Sequence, residues 1–208
     1  MKPAPATALA CLLTVVAVIC SACGGGGAAS AADRSTAAAC PSGWRAGWQQ
    51  LANHIHAPVY CPGWIPSPLT GNLHGQWSTG ADVSPNRSYL AGFIWVEHSD
   101  EVHVNMRGYP GQTGIPKCLE TEQAGQKTVT TKVPCFADPK WTKRIGGTKV
   151  TLYTVNRDAD QWHLLFAWRR HGSLYAISEH VAPPFGYARV VANLRHMFHR
   201  LVLIRPQA

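Results

Sequence analysis

His196 and His199 stand three residues apart in a segment of helical periodicity, a spacing that lets two imidazoles reach one metal ion. No carboxylate or thiol lies close in sequence to complete the ligand set. The pair therefore reads as part of a solvated helix face, and no metal or cofactor is assigned. His54 and His56 are two apart, which shares a face only on a strand, and they fall where a helix ends. Asn156, Asp158 and Asp160 alternate like the opening of a calcium loop. Gln161, however, stands where glycine is required and Ala167 where glutamate is required, so the stretch reads as a polar turn. For acyl transfer there is neither a GxSxG elbow nor an SxxK pair. Glu97, Asp100 and Glu101 lie together at a loop tip, and Gly146-Gly147 precede a strand and not a helix, so neither a paired-carboxylate site nor a phosphate cradle is indicated. No catalytic residue is assigned.

Charge and aromatic content point to binding. The chain carries 19 Lys and Arg against 11 Asp and Glu, a formal charge of +8. Such a field favours anionic partners. On the last predicted helix Arg189, Arg195, His196, His199 and Arg200 project away from the apolar stripe. Arg195 and Arg200 complement the helix dipole there, by a few tenths of a kcal/mol. The same five residues are the candidate contact with anionic lipid or an acidic wall polymer. Of eight Trp, Trp44, Trp48, Trp95, Trp162 and Trp168 fall on stripes that should be core, while Trp64, Trp77 and Trp141 sit in Pro-, Gly- or Lys-rich surroundings.

The first residues say where the protein works. Lys2 provides a basic start, residues 8–20 (ALACLLTVVAVIC) form an uncharged apolar run too short to span a membrane, and Ser21 and Ala22 lead into Cys23. This resembles the signal peptide and lipobox of bacterial lipoproteins, in which the cysteine is lipidated and becomes the new N-terminus. The pattern departs from the family at Cys20, where leucine is usual. The resemblance implies a signal peptide over 1–22, an acylated Cys23 and a place on the outer face of the cytoplasmic membrane. An ordinary signal peptide cut within residues 28–32 would instead release a secreted protein. Residues 23–39 are a Gly/Ala/Ser tether; if flexible, residues 24–39 span about 20–24 Å. The compartment disfavours nucleic acid as a partner.

Export also governs the cysteines. Cys40, Cys61, Cys118 and Cys135 remain beyond the leader, without the CxxC spacing of a zinc site, and read as two disulfides with three connectivities open. Cys40–Cys61 and Cys118–Cys135 are favoured because each pair brackets one short segment. Pairing leaves no thiol for Cys–His chemistry.

Residues 40–208 suffice for one domain. Trp44, Trp48, Leu51 and Ile55 predict a helix over 43–56 with Ser42 as its cap. Residues 59–61 run extended, and 61–71 form a Pro-rich connector. Residues 89–96 are apolar on both faces and read as a central strand covered on each side. Residues 102–106 alternate, which leaves His103 and Asn105 on a wet face, and residues 98–101 turn the chain between the two. Further strands are expected at 128–133, 149–155, 162–168 and 174–181, with Arg170-His171-Gly172 turning the last pair. A final helix is expected over 187–203, with Val190, Val191, Leu194, Met197, Phe198 and Leu201 as its apolar stripe. The fold class is α+β: a mostly antiparallel sheet of about six strands with an N-terminal and a C-terminal helix packed on it.

The strand–turn–strand–helix ending and the segment PVYCPGWIP (58–66) are loosely similar to small extracytoplasmic bacterial domains of unknown function. That resemblance assigns no residue a role. The combined expectation is a non-catalytic, membrane-anchored envelope binding module. A hydrolase of wall glycans or peptides and a carrier of small apolar ligands are the alternatives.

Overall fold

A computed structural model describes residues 38–70, 76–157, 162–183 and 185–207, and all structural statements concern these. The leader, Cys23, most of the tether, and Asp158, Asp160 and Gln161 lie outside them. The amphipathic stripe of the first segment forms α1 (Ser42–Ile55), which buries Trp48, Leu51, Ala52 and Ile55. Pro41, not Ser42, occupies the N-cap. Its carbonyl accepts the amides of Trp44 and Arg45 at 3.0 Å, and its fixed φ suits a helix start without a side-chain cap. At the other end His56 adopts a left-handed φ of 49°, and Arg87 Nη1 donates to the Ile55 carbonyl at 3.4 Å. Ala57 and Pro58 then lead into β1 (Val59–Pro62).

Ten further elements follow: β2 (Gln76–Val83), β3 (Tyr89–Glu97), β4 (Asp100–Tyr109), β5 (Lys117–Ala124), β6 (Lys127–Pro134), β7 (Phe136–Ile145), β8 (Thr148–Asn156), β9 (His163–Arg170), β10 (Ser173–His180) and α2 (Tyr187–His199). A short β11 (Leu201–Ile204) closes the order. Seven strands make one antiparallel sheet in the order β2-β3-β4-β10-β9-β8-β7, so the expected α+β class holds; β2 and β7 join five of the anticipated strands, while the strand expected at 128–133 pairs with β5 in a separate hairpin. Two-residue turns set the register. Gly146-Gly147 and His171-Gly172 all have positive φ, the geometry that matches strand twist. Tyr89 lies opposite Gly108, and the tyrosine ring covers the space a Cβ would take.

Leu201 leaves the helix. The chain breaks at Arg200, and Leu201–Ile204 pairs antiparallel with Val59–Pro62 as a separate two-stranded ribbon. The 3.6-residue stripe that runs on through Leu201 could not distinguish these outcomes, because the β1 partner is remote in sequence. Gly63 is needed at this junction: its amide donates to the Arg200 carbonyl at 2.8 Å, and a Cβ would come within 2.7 Å of that oxygen.

The helices and the ribbon cover one face of the sheet. Phe93, Val104, Leu152, Phe166, Trp168, Tyr175 and Ile177 meet Trp48, Ile55, Val190, Leu194 and Met197 there in a single apolar cluster. On the opposite face Tyr109, Phe136, Leu165, Ala167, Leu174 and Ala176 form a smaller cluster. Disulfides Cys40–Cys61 and Cys118–Cys135 are both present; the first ties the start of α1 to β1, the second ties the β5–β6 hairpin to the start of β7. Arg157 adds an ion pair to Glu120 at 2.9 Å.

Three expectations change. β3 is covered on one side only, since Tyr89, Ala91, Phe93 and Trp95 are buried while Ile94 is exposed, because β3 lies next to the edge strand β2. The face of β4 read as wet is dry: His103 is 3% exposed and Asn105 is buried, because β10 and β9 bring polar partners to that side. Trp162 is 72% exposed, since the strand begins only at His163 and leaves the indole on the preceding turn.

Candidate functional site

Polar chemistry gathers in two places. The first is a buried row. Pairing of β4 with β10 and of β10 with β9 places His103, His180 and His163 at the same level of three adjacent central strands, with ring centroids 4.3–5.5 Å apart. His103 Nδ1 lies 2.9 Å from Glu101 Oε1, the Nε2 atoms of His103 and His163 meet, and His163 Nδ1 lies 3.0 Å from Ser178 Oγ. A carboxylate only accepts. Likewise, of the two imidazole Nε2 atoms in contact one donates and the other accepts, so the rings of His103 and His163 are tied together through one proton. Burial, followed by the nearby His103, His180 and Arg107, holds the His163 pKa down at about 2, so this ring stays neutral at ordinary pH.

The row is dry at its Ser178 end and meets solvent at the other, where Glu101 is about half exposed and His180 half-buried. Ser178 is buried, and its hydroxyl points into the chain and not towards solvent. Among the described residues no set of three or more His, Cys, Asp or Glu side chains has the arrangement of a metal site. On the helix-covered face, Glu179 is fully buried and accepts from Asn193 Nδ2 at 2.7 Å. Burial raises its pKa to about 8, against the opposing pull of Asn193 and Arg189.

The second gathering is open. Where α2 ends and β11 begins, a groove of about 340 Å³ runs between the ribbon and the turns β7–β8 and β9–β10. Its apolar side is Tyr60, Trp168, Phe198, Leu201 and Leu203; its basic side chains are Arg170, His171, His199 and Arg205. Trp168 forms the floor, edge-on to Phe198 at 5.1 Å and to Tyr60 at 5.5 Å. Burial raises the Tyr60 pKa above its ordinary value. The Trp168 side chain, Arg170 and Arg205 each pull it back, so both arginines bear on one hydroxyl. Arg170 is oriented by a 3.2 Å bond from Nη1 to Thr148 Oγ1. None of the groove's lining residues is acidic.

The five helix residues singled out from sequence do not act alike. Arg189, Arg195, His196 and His199 are exposed along α2. His196 also packs edge-on to Trp64 at 4.3 Å, and His199 continues into the groove. Arg200 is half-buried at the helix end, where its backbone holds Gly63. From His180 to Ala208 the chain contains Arg189, Arg195, Arg200 and Arg205 and no Asp or Glu. Of the other tryptophans, Trp141 is half-buried, edge-on to Phe166 at 5.2 Å with Lys143 Nζ 5.2 Å from its ring. The Trp77 side chain lies outside the described set. His54 is in α1 and His56 is its cap, which keeps them off the sheet.

Sequence reasoning read Arg170-His171-Gly172 only as a turn and missed Arg205, Tyr60 and the histidine row. The cross-strand contacts of His163 with Ser178 follow from the β9–β10 hairpin register. Contact with His103 required knowing that β4 is the neighbour of β10.

The arrangement defines a disulfide-linked α+β domain with a helix-covered sheet and a cationic groove at one end of its C-terminal helix. No family model matches the chain, and neither a curated protein nor a solved structure matches it.

Proposed function

We propose that this is a non-catalytic binding module of the bacterial cell envelope. It is held at the outer face of the cytoplasmic membrane by an acyl group on Cys23 and rests on anionic lipid through the outward face of α2. The observation that carries this reading is the one-signed charge of that face: Arg189, Arg195, His196 and His199 are exposed together, with no carboxylate after Glu179. Magnitudes define how such a face works. An arginine near an anionic surface contributes about 1 kcal/mol. The helix face alone therefore binds no more tightly than millimolar, an affinity that shows at low salt with lipid in millimolar excess. A tether reaching about 20–24 Å raises the effective concentration enough for weak contacts to matter. Anchor and helix face act together.

The test is vesicle flotation of residues 37–208, a compact unit with its own core and both disulfides. The expected result is capture by vesicles containing phosphatidylglycerol, loss of capture at high salt, and weaker capture for R189Q/R195Q. Equal behaviour on purely zwitterionic vesicles, or no capture at low salt, overturns the reading.

A further inference from the structure

We infer that the groove at the end of α2 is a discrete binding site for a phosphodiester carried by a small polyol, the chemistry shared by a glycerophospholipid headgroup and a poly(glycerol phosphate) wall polymer. This rests on the envelope-binding reading and names the ligand within it. The argument begins with charge. Arg170, His171, His199 and Arg205 come from three separate stretches of chain, the β9–β10 turn, the end of α2 and the residue after β11, and they line one 340 Å³ groove with no acid among them. With no acid in the lining, an anion seated there gains the attraction of both guanidinium groups without competition from a carboxylate.

The shape of the donor set selects the anion. A planar carboxylate is satisfied by one guanidinium fork. Here two guanidinium groups and two imidazoles from three stretches of chain line the same space, a set of several independent donors that suits a tetrahedral group with oxygens pointing several ways. Thr148 Oγ1 already accepts from Arg170 and keeps its own proton to donate, and the Tyr60 hydroxyl lies under the influence of both arginines. Beside this polar end stand Leu201, Leu203 and Phe198, half-buried, an apolar wall for the carbon skeleton of the ester. His199 belongs both to the groove and to the exposed face of α2, so a ligand in the groove lies at the margin of the surface that meets the membrane.

The experiment is isothermal titration of the full-length protein in non-ionic detergent with two soluble probes, glycerophosphoglycerol and a poly(glycerol phosphate) oligomer, with glycerol as the control. Both probes should bind and glycerol should not. R170Q/R205Q should weaken binding about tenfold or more, because each arginine loses a charge-assisted bond in the exchange. These residues are exposed, so the variant should keep the parent's melting temperature and near-ultraviolet dichroism. R189Q/R195Q should weaken the titration far less than R170Q/R205Q while reducing vesicle capture, which separates failure of the groove from failure of the helix face. An affinity that climbs with oligomer length assigns the ester to a wall polymer; an affinity indifferent to length assigns it to a lipid headgroup. Absence of binding by both probes at millimolar concentration, or binding that R170Q/R205Q leaves intact, overturns the inference.

Discussion

On one face of the seven-stranded sheet, Phe166, Ile177 and Val104 meet two helices and a ribbon in continuous apolar contact. On the other, the same three strands pass from Leu165, Ala176 and Tyr109 to a chain of polar contacts joining Ser178, His163, His103 and Glu101. The two closures obey different rules. Apolar packing is non-directional, and its loss scales with the volume removed. A buried polar chain is worth little net per bond but costs heavily when one member is withdrawn, because its neighbours are left dry and unpaired. Each face also hides one group whose ionisation burial opposes: Glu179 under α2 and His163 in the row. The lesson is that strands buried on both sides need not carry two oily faces.

The largest effect should come from the apolar side. Phe166→Ala should cost about 3–5 kcal/mol, read as a lowered denaturant midpoint. A loss under about 1 kcal/mol would show that the helices do not depend on this packing. His163→Ala should follow, at about 2–3 kcal/mol, since it strands the Ser178 hydroxyl and His103 Nε2 together. A double-mutant cycle with Ser178→Ala should show coupling well above 0.5 kcal/mol; strict additivity would mean the chain is not a unit.

Measured per pH unit, the smallest and most informative effect is pH dependence. Unfolded His163 takes a proton below about 6.5, whereas the folded group waits until about 2, so its contribution to stability rises with pH over that window. Unfolded Glu179 loses its proton near 4.5, whereas the folded acid keeps it to about 8, so its contribution falls as pH rises between those values. Between 4.5 and 6.5 the two slopes oppose each other, each at most about 1.4 kcal/mol per pH unit. Chemical denaturation across pH should therefore show a plateau from 4.5 to 6.5 with a decline on both sides. Glu179→Gln should remove the alkaline decline and spare the acid one. An alkaline decline that persists in that variant would place its origin elsewhere.

Much of the architecture was readable because its signals are local. The spacing of Trp48, Leu51 and Ile55 specifies a helix stripe whatever lies opposite. Arg170-His171-Gly172 makes a turn from its own backbone preferences. Cys118 and Cys135 bracket one hairpin and so meet without long-range help. β2 escaped notice because between Trp77 and Val83 the strand holds only small and polar residues, with no alternation to read. The candidate site was half visible. The cations of α2 lie on a helix whose period can be counted, whereas the groove takes residues from β1, two turns and the chain after β11.

What the amino-acid order determined alone is therefore the set of amphipathic elements, their turns, the excess of positive charge, and the cysteines that can close short loops. Tertiary structure decided the rest: that β10 lies between β4 and β9, that Leu201 pairs with Pro62 instead of extending a helix, and that two arginines and two histidines line one groove. The physical reason is range. Periodicity and turn geometry are settled within a few residues, while which polar groups are dried together depends on strand order, and strand order is a property of the whole assembled sheet.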